Sequence, residues 1–354
     1  KIRNDGDVIL DGIFAYIYAS VDVSSTGDLT VREKIETQEL GQPIVLTSTG
    51  GSVVVNEKDL EVIQTVGGDS TVTLNAGDDI VLATGVNVTG TGTVYLTAGS
   101  GILDPTPVTD DNPEAIVASS LFINSAGYVG LKGESDSPWD VERPLRTQID
   151  YLTAHDIAGE SYIVNTGDIY LSEGDSDGSF TLQALADPNA APAEAGNIMV
   201  SIVTTSDADI NLRAAGMVSI VPWQSVLAGE GTVRILAEDG SIVQTGSSGN
   251  VPTIEGGIIQ LTALNGSLGS ANIPLELGSL GPEAEIVAVT TGDQHPIYLS
   301  NFTDDDTVLY ASTDGADSPI WVHQYEYHVP SYAGPADDPA TVGGDLLLGM
   351  VDGG

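Results

Sequence analysis

Two pairs of aspartates are the residues of this sequence whose type and spacing best suit them to chemistry. Asp78 and Asp79 adjoin in AGDDIVLATG, and Asp175 and Asp177 alternate in GDSDGS. Carboxylate oxygens presented from Gly-rich turns are hard ligands, and a calcium ion gathers about six to eight of them, so both pairs are candidate Ca2+ ligands. Calcium-binding rolls repeat such turns in tandem, whereas AGDDIVLATG stands alone, and the competing reading is a solvated turn carboxylate. Asp304, Asp305 and Asp306 offer the same atoms in one run. A second candidate is WVHQYEYHV, where His323 and His328 alternate with tyrosines. A strand sends residues five apart to opposite faces, and no Cys completes a transition-metal site, so packing in a terminal cap is the expected role. Trp321, Tyr325, Tyr327 and Tyr332 are equally suited to stacking on sugar rings.

Catalysis finds less to work with. The sequence has no Cys, GxSxG, Walker loop or HExxH, so nucleophilic and metalloprotease chemistry lack their residues. Hydrolysis of a polysaccharide needs two carboxylates about 5 to 9 Å apart. With 51 Asp and Glu in the chain, no such pair stands out from the background. Elimination on acidic sugars needs an Arg base, and Arg143 and Arg146, two of only six arginines, are expected to neutralise neighbouring acids instead. No catalytic residue is assigned and a non-enzymatic role is expected. The alternative is a polysaccharide lyase or hydrolase built on the same scaffold.

The elements that must hold these residues repeat. A cassette of alternating apolar residues, a Gly, Asp or Asn turn and a second apolar pair recurs as IVLTSTGGSVV from Ile44, VTLNAGDDIVL from Val72, VYLTAGSGIL from Val94, VRILAEDGSIV from Val233 and IQLTALNGSLG from Ile259. The alternation has the period of a strand and the break has the chemistry of a turn. The spacings from Val72 to Val94 and from Val233 to Ile259 are too short for propeller blades, which need about 40 residues each. The leucine-rich-repeat signature is missing. Coils of about 20–26 residues in an all-β parallel β-helix fit, with aliphatic columns running from coil to coil. The predicted repeat region is 1–319, with Pro-rich acidic loops at 104–115 and 186–196, followed by an irregular cap or connecting segment at 320–354.

Composition agrees. At 41% apolar residues the chain carries too much Val, Ile, Leu and Ala to stay disordered despite a net charge of −41. The acids are scattered between apolar runs, which places them on turns and solvent faces. Such a surface repels nucleic acid and anionic lipid, and it favours a saline, cation-rich setting. Zero Cys leaves stability to core burial. No run approaches the length of a membrane-spanning helix. The sequence begins at Lys1 without Met or a signal-like segment, so a processed front or a piece of a longer chain is expected.

A longer internal match joins the halves. Arg143-Pro144-Leu145 and Ile273-Pro274-Leu275 open the two units, and Tyr170-Leu171-Ser172 and Tyr298-Leu299-Ser300 close them. With Gly266-Ser267-Leu268-Gly269, Leu152-Thr153-Ala154 and Gly167-Asp168-Ile169-Tyr170-Leu171, these strings resemble the repeats of filamentous-haemagglutinin-type large exoproteins and related giant β-strand-repeat adhesins of Gram-negative bacteria. The likeness is clearest from Tyr128 to Phe302. It implies a right-handed parallel β-helix, secretion to the cell surface, and a structural or adhesive function in a stiff fibre, with self-association or surface glycans as partners.

Overall fold

A cassette such as IVLTSTGGSVV becomes two strands joined by its turn, Ile44–Ser48 and Val53–Val55, one in each of two parallel stacks. The computed structural model is all β, with no helix among the described residues, which exclude 16–18, 38–41, 57–62, 66–68, 84, 89–90, 107–113, 133–136, 140–141, 191–192, 224, 250, 282–283, 304–305, 315–316, 327–345 and 354. Only the backbone is described for 326 and 346–353. The chain divides into two compact units, Lys1–Asn197 and Ile198–Gly354.

In the first unit, strands Val21–Ser25, Ile44–Ser48, Thr71–Ala76, Thr93–Ala98, Ser120–Ser125 and Tyr151–Ile157 pair in succession, all parallel. The cassettes lie in register. Ile44, Val72, Val94 and Leu121 form one column and Leu46, Leu74, Leu96 and Ile123 the next, all buried. Period-two alternation produces this, because every second side chain points inward and meets its counterpart about 4.8 Å above and below. Each such Leu, Ile or Val contributes about 1.5–3 kcal/mol of burial, repeated at every coil. The opposite wall is split in places. Leu29–Thr37 pairs through its start with Val53–Val55 and through its end with Ile63–Thr65.

Coil length is less regular than the cassette spacing predicts. In the first stack one coil runs from Ser120 to its partner Tyr151, and the next, much shorter, runs from Tyr151 to its partner Tyr170. The surplus is looped outward, so the paired strands keep their positions. One excursion is closed by an antiparallel bridge between Leu131 and Arg143 and another by the bridge between Asp187 and Glu194, within the predicted 186–196 loop. The ends of the 104–115 loop, Asp104 and Ala115, are buried in the wall.

In the second unit Ile210–Ala214, Thr232–Ala237, Ile258–Ala263, Glu285–Thr290 and Thr307–Thr313 stack, with Val233 opposite Ile259 as the cassette spacing requires. Two strands lie where the sequence predicts an irregular cap: Ile320–Glu326 pairs with Ile297–Thr303 along its whole length, and Leu346–Gly353 pairs with Thr307–Thr313. Strand alternation persists through IWVHQYE; aromatic rings at its outward positions and a missing Gly turn disguise it. His328, Tyr327 and Tyr332 lie outside the described residues.

The internal match is real at its opening and shifted at its close. Gly130 and Gly269 adopt φ of +67° and +66°, and a Cβ on either would lie 2.9 Å from the amide nitrogen of Leu145 or Leu275 and against the carbonyl of Tyr162 or Tyr298. Tyr162 donates its N–H to Val129 and Tyr298 donates to Leu268. The counterpart of Tyr298 is therefore Tyr162, in strand Ser161–Thr166, which immediately precedes the strand of Tyr170 and lies in the other sheet. Any strand of the stack reads as a plausible match because all share one alternation, and hydrogen bonding is what distinguishes them.

Candidate functional site

The acids predicted as ligands sit in or beside turns that the stack places directly above one another. Asp78 and Asp79 follow strand Thr71–Ala76, and Asp177 lies in the turn four coils on, beside Gly178, which stacks over Asp78 through Ser100, Gly127 and Gly159. Four steps of about 4.8 Å put the two pairs roughly 19 Å apart, too far to share one ion. Asp78 Oδ1 accepts the Ser100 hydroxyl at 2.7 Å. The Oδ1 of Asp79 is buried without a hydrogen-bond partner. Burial first, and then repulsion from Asp78, raise the Asp79 carboxyl above its ordinary value, against a lowering contribution from the Gly101 N–H. Tyr128 is raised by burial and by the same two aspartates, its ring lying so close over Gly101 that a Cβ there would meet it at 2.7 Å.

The structure brings Asp175 to partners that sequence reasoning missed. His155, Asp156 and Asp175 present ligand atoms that all lie within 4.8 Å of one another, and Asp177 is not part of this group. His155 Nδ1 lies 3.0 Å from Glu173 and Nε2 lies 3.1 Å from Asp156, so both contacts are hydrogen bonds only when the ring carries both protons. A bulge positions the group. The pairing of Ser120–Ser125 with Tyr151–Ile157 shifts by one residue after Asn124, and Asp156 takes φ of +52°. Imidazole with carboxylates suits a borderline transition ion better than calcium.

Many of the remaining carboxylates are structural. Asp28 donates its N–H to Asp7 Oδ1 at 3.0 Å, and Asp28 Oδ1 in turn accepts the Ser52 N–H at 2.9 Å. Asp168 takes the Asn197 N–H at 2.8 Å, and in the second unit Asp207, Asp209 and Asp314 take those of Glu230, Thr232 and Gly292. Each bond spans one coil. An anionic acceptor aimed at a turn amide is the stronger kind of hydrogen bond, and it needs no basic partner. Among the described residues one base is buried. Arg146 grips Asp104 through Nε at 2.6 Å and Nη2 at 3.2 Å, in line with the neutralising role expected of it, while Arg143 reaches Glu142 only at 3.8 Å.

The outer face of the first stack carries rings. Tyr95 and Phe122 stack at 5.0 Å with planes 15° apart, and Tyr151 meets Tyr170 edge to face at 5.8 Å. In the second unit Trp321, His323 and Tyr325 share the outward face of one strand, with His323 stacked on Tyr325 at 4.0 Å and Tyr325 on Phe302 at 4.7 Å. The second group is visible in the sequence; the first is not. Aligning VYLTA with LFINS would have found it, since Tyr95 and Phe122 fill the same outward place in their cassettes. Comparison with known proteins returns nothing: no family model, no curated protein and no solved structure matches this chain.

Proposed function

We propose that the chain is a structural or adhesive repeat protein of the cell surface, secreted and non-catalytic, whose stacked coils assemble into acidic fibres through self-association. The observation that carries this reading is the use of turn carboxylates as coil-to-coil acceptors, which turns an acidic composition into a fastening between repeats. A coil at the end of such a stack presents unpaired backbone and turn acceptors, so a second chain can add by the bonds that join the coils within one. Negative-stain imaging of the purified chain across a concentration series, with and without millimolar Ca2+, tests it. Elongated assemblies that lengthen with concentration are the expected result, and single compact particles throughout would overturn it.

One observation favours the alternative, a polysaccharide-active enzyme. Asp156 and Asp175 bring carboxylate oxygens within 4.8 Å, near the separation of about 5 Å used in retaining glycoside hydrolysis. New reducing ends released from neutral or acidic polysaccharides, and lost in Asp156→Asn, would establish that reading in place of the first.

A further inference from the structure

The aromatic column of the first unit stops one ring short. In register along the outward face stand Thr73, Tyr95, Phe122, Thr153 and Glu173. Tyr95 covers one face of Phe122. On its other side the next coil supplies only Thr153, and the coil after that supplies Glu173. Two coil steps separate Phe122 from Glu173, about 10 Å, and a flat ring in contact with groups on both sides needs about 7 Å. An open groove of about 310 Å³ runs along this face, lined by Tyr95, Thr97, Phe122, Asn124, Thr153, His155 and Glu173, and the interval over Thr153 between Phe122 and Glu173 is part of it. Two residues before Thr153 on the same face stands Tyr151.

We propose that this slot binds a pyranose ring of a neutral polysaccharide. The inference rests on the adhesive reading above and names the surface such a protein would hold. A pyranose offers an apolar C–H face to lie on Phe122 and a rim of hydroxyls, and the rim of this groove is Asn124, His155 and Glu173, an amide, an imidazole and a carboxylate. Purely apolar ligands would strip water from those three groups without replacing its hydrogen bonds. Anionic sugars are disfavoured by Glu173 and by the net charge of −41. The register shift after Asn124 and a second one after Leu152 bring His155 and Glu173 together beside the slot, with His155 Nδ1 3.0 Å from the Glu173 carboxylate. Tyr95 and Phe122 remain 40% and 39% exposed, which suits a chain of sugars passing over the surface better than an enclosed monosaccharide.

Isothermal titration of the full chain with cellohexaose, mannohexaose, chitohexaose and hexagalacturonate tests this. At least one neutral hexasaccharide is expected to bind, with hexagalacturonate weaker by about tenfold or more. Phe122→Ala removes the stacking surface. Thr153→Phe fills the slot while extending the column, so it blocks binding without opening a hole. Each should weaken binding by about tenfold or more, with the melting transition confirming the fold, whereas Tyr310→Ala, which removes an exposed ring of the other unit, should leave it unchanged. No binding by any neutral hexasaccharide overturns the site but leaves the fibre reading intact, because assembly is measured separately. Binding unaltered in Thr153→Phe overturns the location, and equal affinity for hexagalacturonate overturns the ligand class.

Discussion

At the scale of single residues, the informative acids are those whose surroundings have shifted them. Glu276 is buried, and burial alone would raise its carboxyl, yet the hydroxyl and N–H of Ser248, the amide of Gln244 and the hydroxyl of Ser247 all donate to it and lower it overall. One carboxylate thereby fastens the segment around Ser247 and Ser248 to strand Leu275–Ser279. Glu276→Gln turns an amide N–H toward those donors and should cost about 2–3 kcal/mol in chemical denaturation at neutral pH. A lowered carboxyl contributes stability that is present above its unfolded value of 4.5 and lost as pH falls through the folded value. The gap between wild type and variant should therefore close in acid below that point. Asp79 behaves in the opposite sense. Its carboxyl is raised, so its contribution is present below 3.8 and disappears as pH rises through the folded value, leaving a destabilising charge at neutrality. Asp79→Asn should stabilise the protein by up to about 1 kcal/mol at neutral pH, and the gain should vanish on acidification.

At the scale of elements, the turn and the strand carry different amounts of readable signal. Alternation in VTLNA and VYLTA is enough to give strand, inward face and neighbour, because a one-residue slip would turn every Val and Leu to solvent. Turn bonding is not readable in this way, since Asp7, Asp28 and Ser52 look like any polar loop residues until the coils are stacked. The prediction that belongs here concerns that column. Asp28→Ala removes the acceptor of the Ser52 N–H and should cost about 1 kcal/mol, whereas Asp28→Asn keeps an oxygen in place and should cost much less; paired thermal melts distinguish them. Close approach is the other hidden constraint. At Gly127 a Cβ would be driven into the carbonyl of Ser100, so Gly127→Ala should lower the melting temperature by more than either Asp28 variant. Long-range partners are the least legible. Nothing in the sequence ties Asp104 to Arg146, or Asp175 to His155, because excursions of unequal length intervene between coils. The strand of IWVHQYE and the counterpart of Tyr298 are obscured for a related reason: cassette-like strings recur, and only pairing shows which one is meant.

At the scale of the whole molecule, 51 acids against 10 bases set a problem that the turn columns solve only in part. Carboxylates that accept turn amides are stabilised locally, but their charges still repel one another over the distance that salt permits. The screening length falls from about 30 Å at 0.01 M ionic strength to about 3 Å at 1 M, from many coils to less than one coil step. Melting temperature should therefore climb steadily with NaCl, unlike that of a protein of balanced charge. Calcium acts by the same screening and also, where ligands converge, by binding. Screening depends on ionic strength and ion valence alone, whereas a site binding the folded form stabilises it by mass action and saturates. Melts in CaCl2 and MgCl2 at matched ionic strength separate the two. The separation of the Asp78–Asp79 pair from Asp177, and the imidazole beside Asp175, give each group few convergent oxygens of its own, so the two curves should coincide. A saturating excess for calcium that is lost in Asp78→Asn or Asp175→Asn would instead identify the turn that holds the ion.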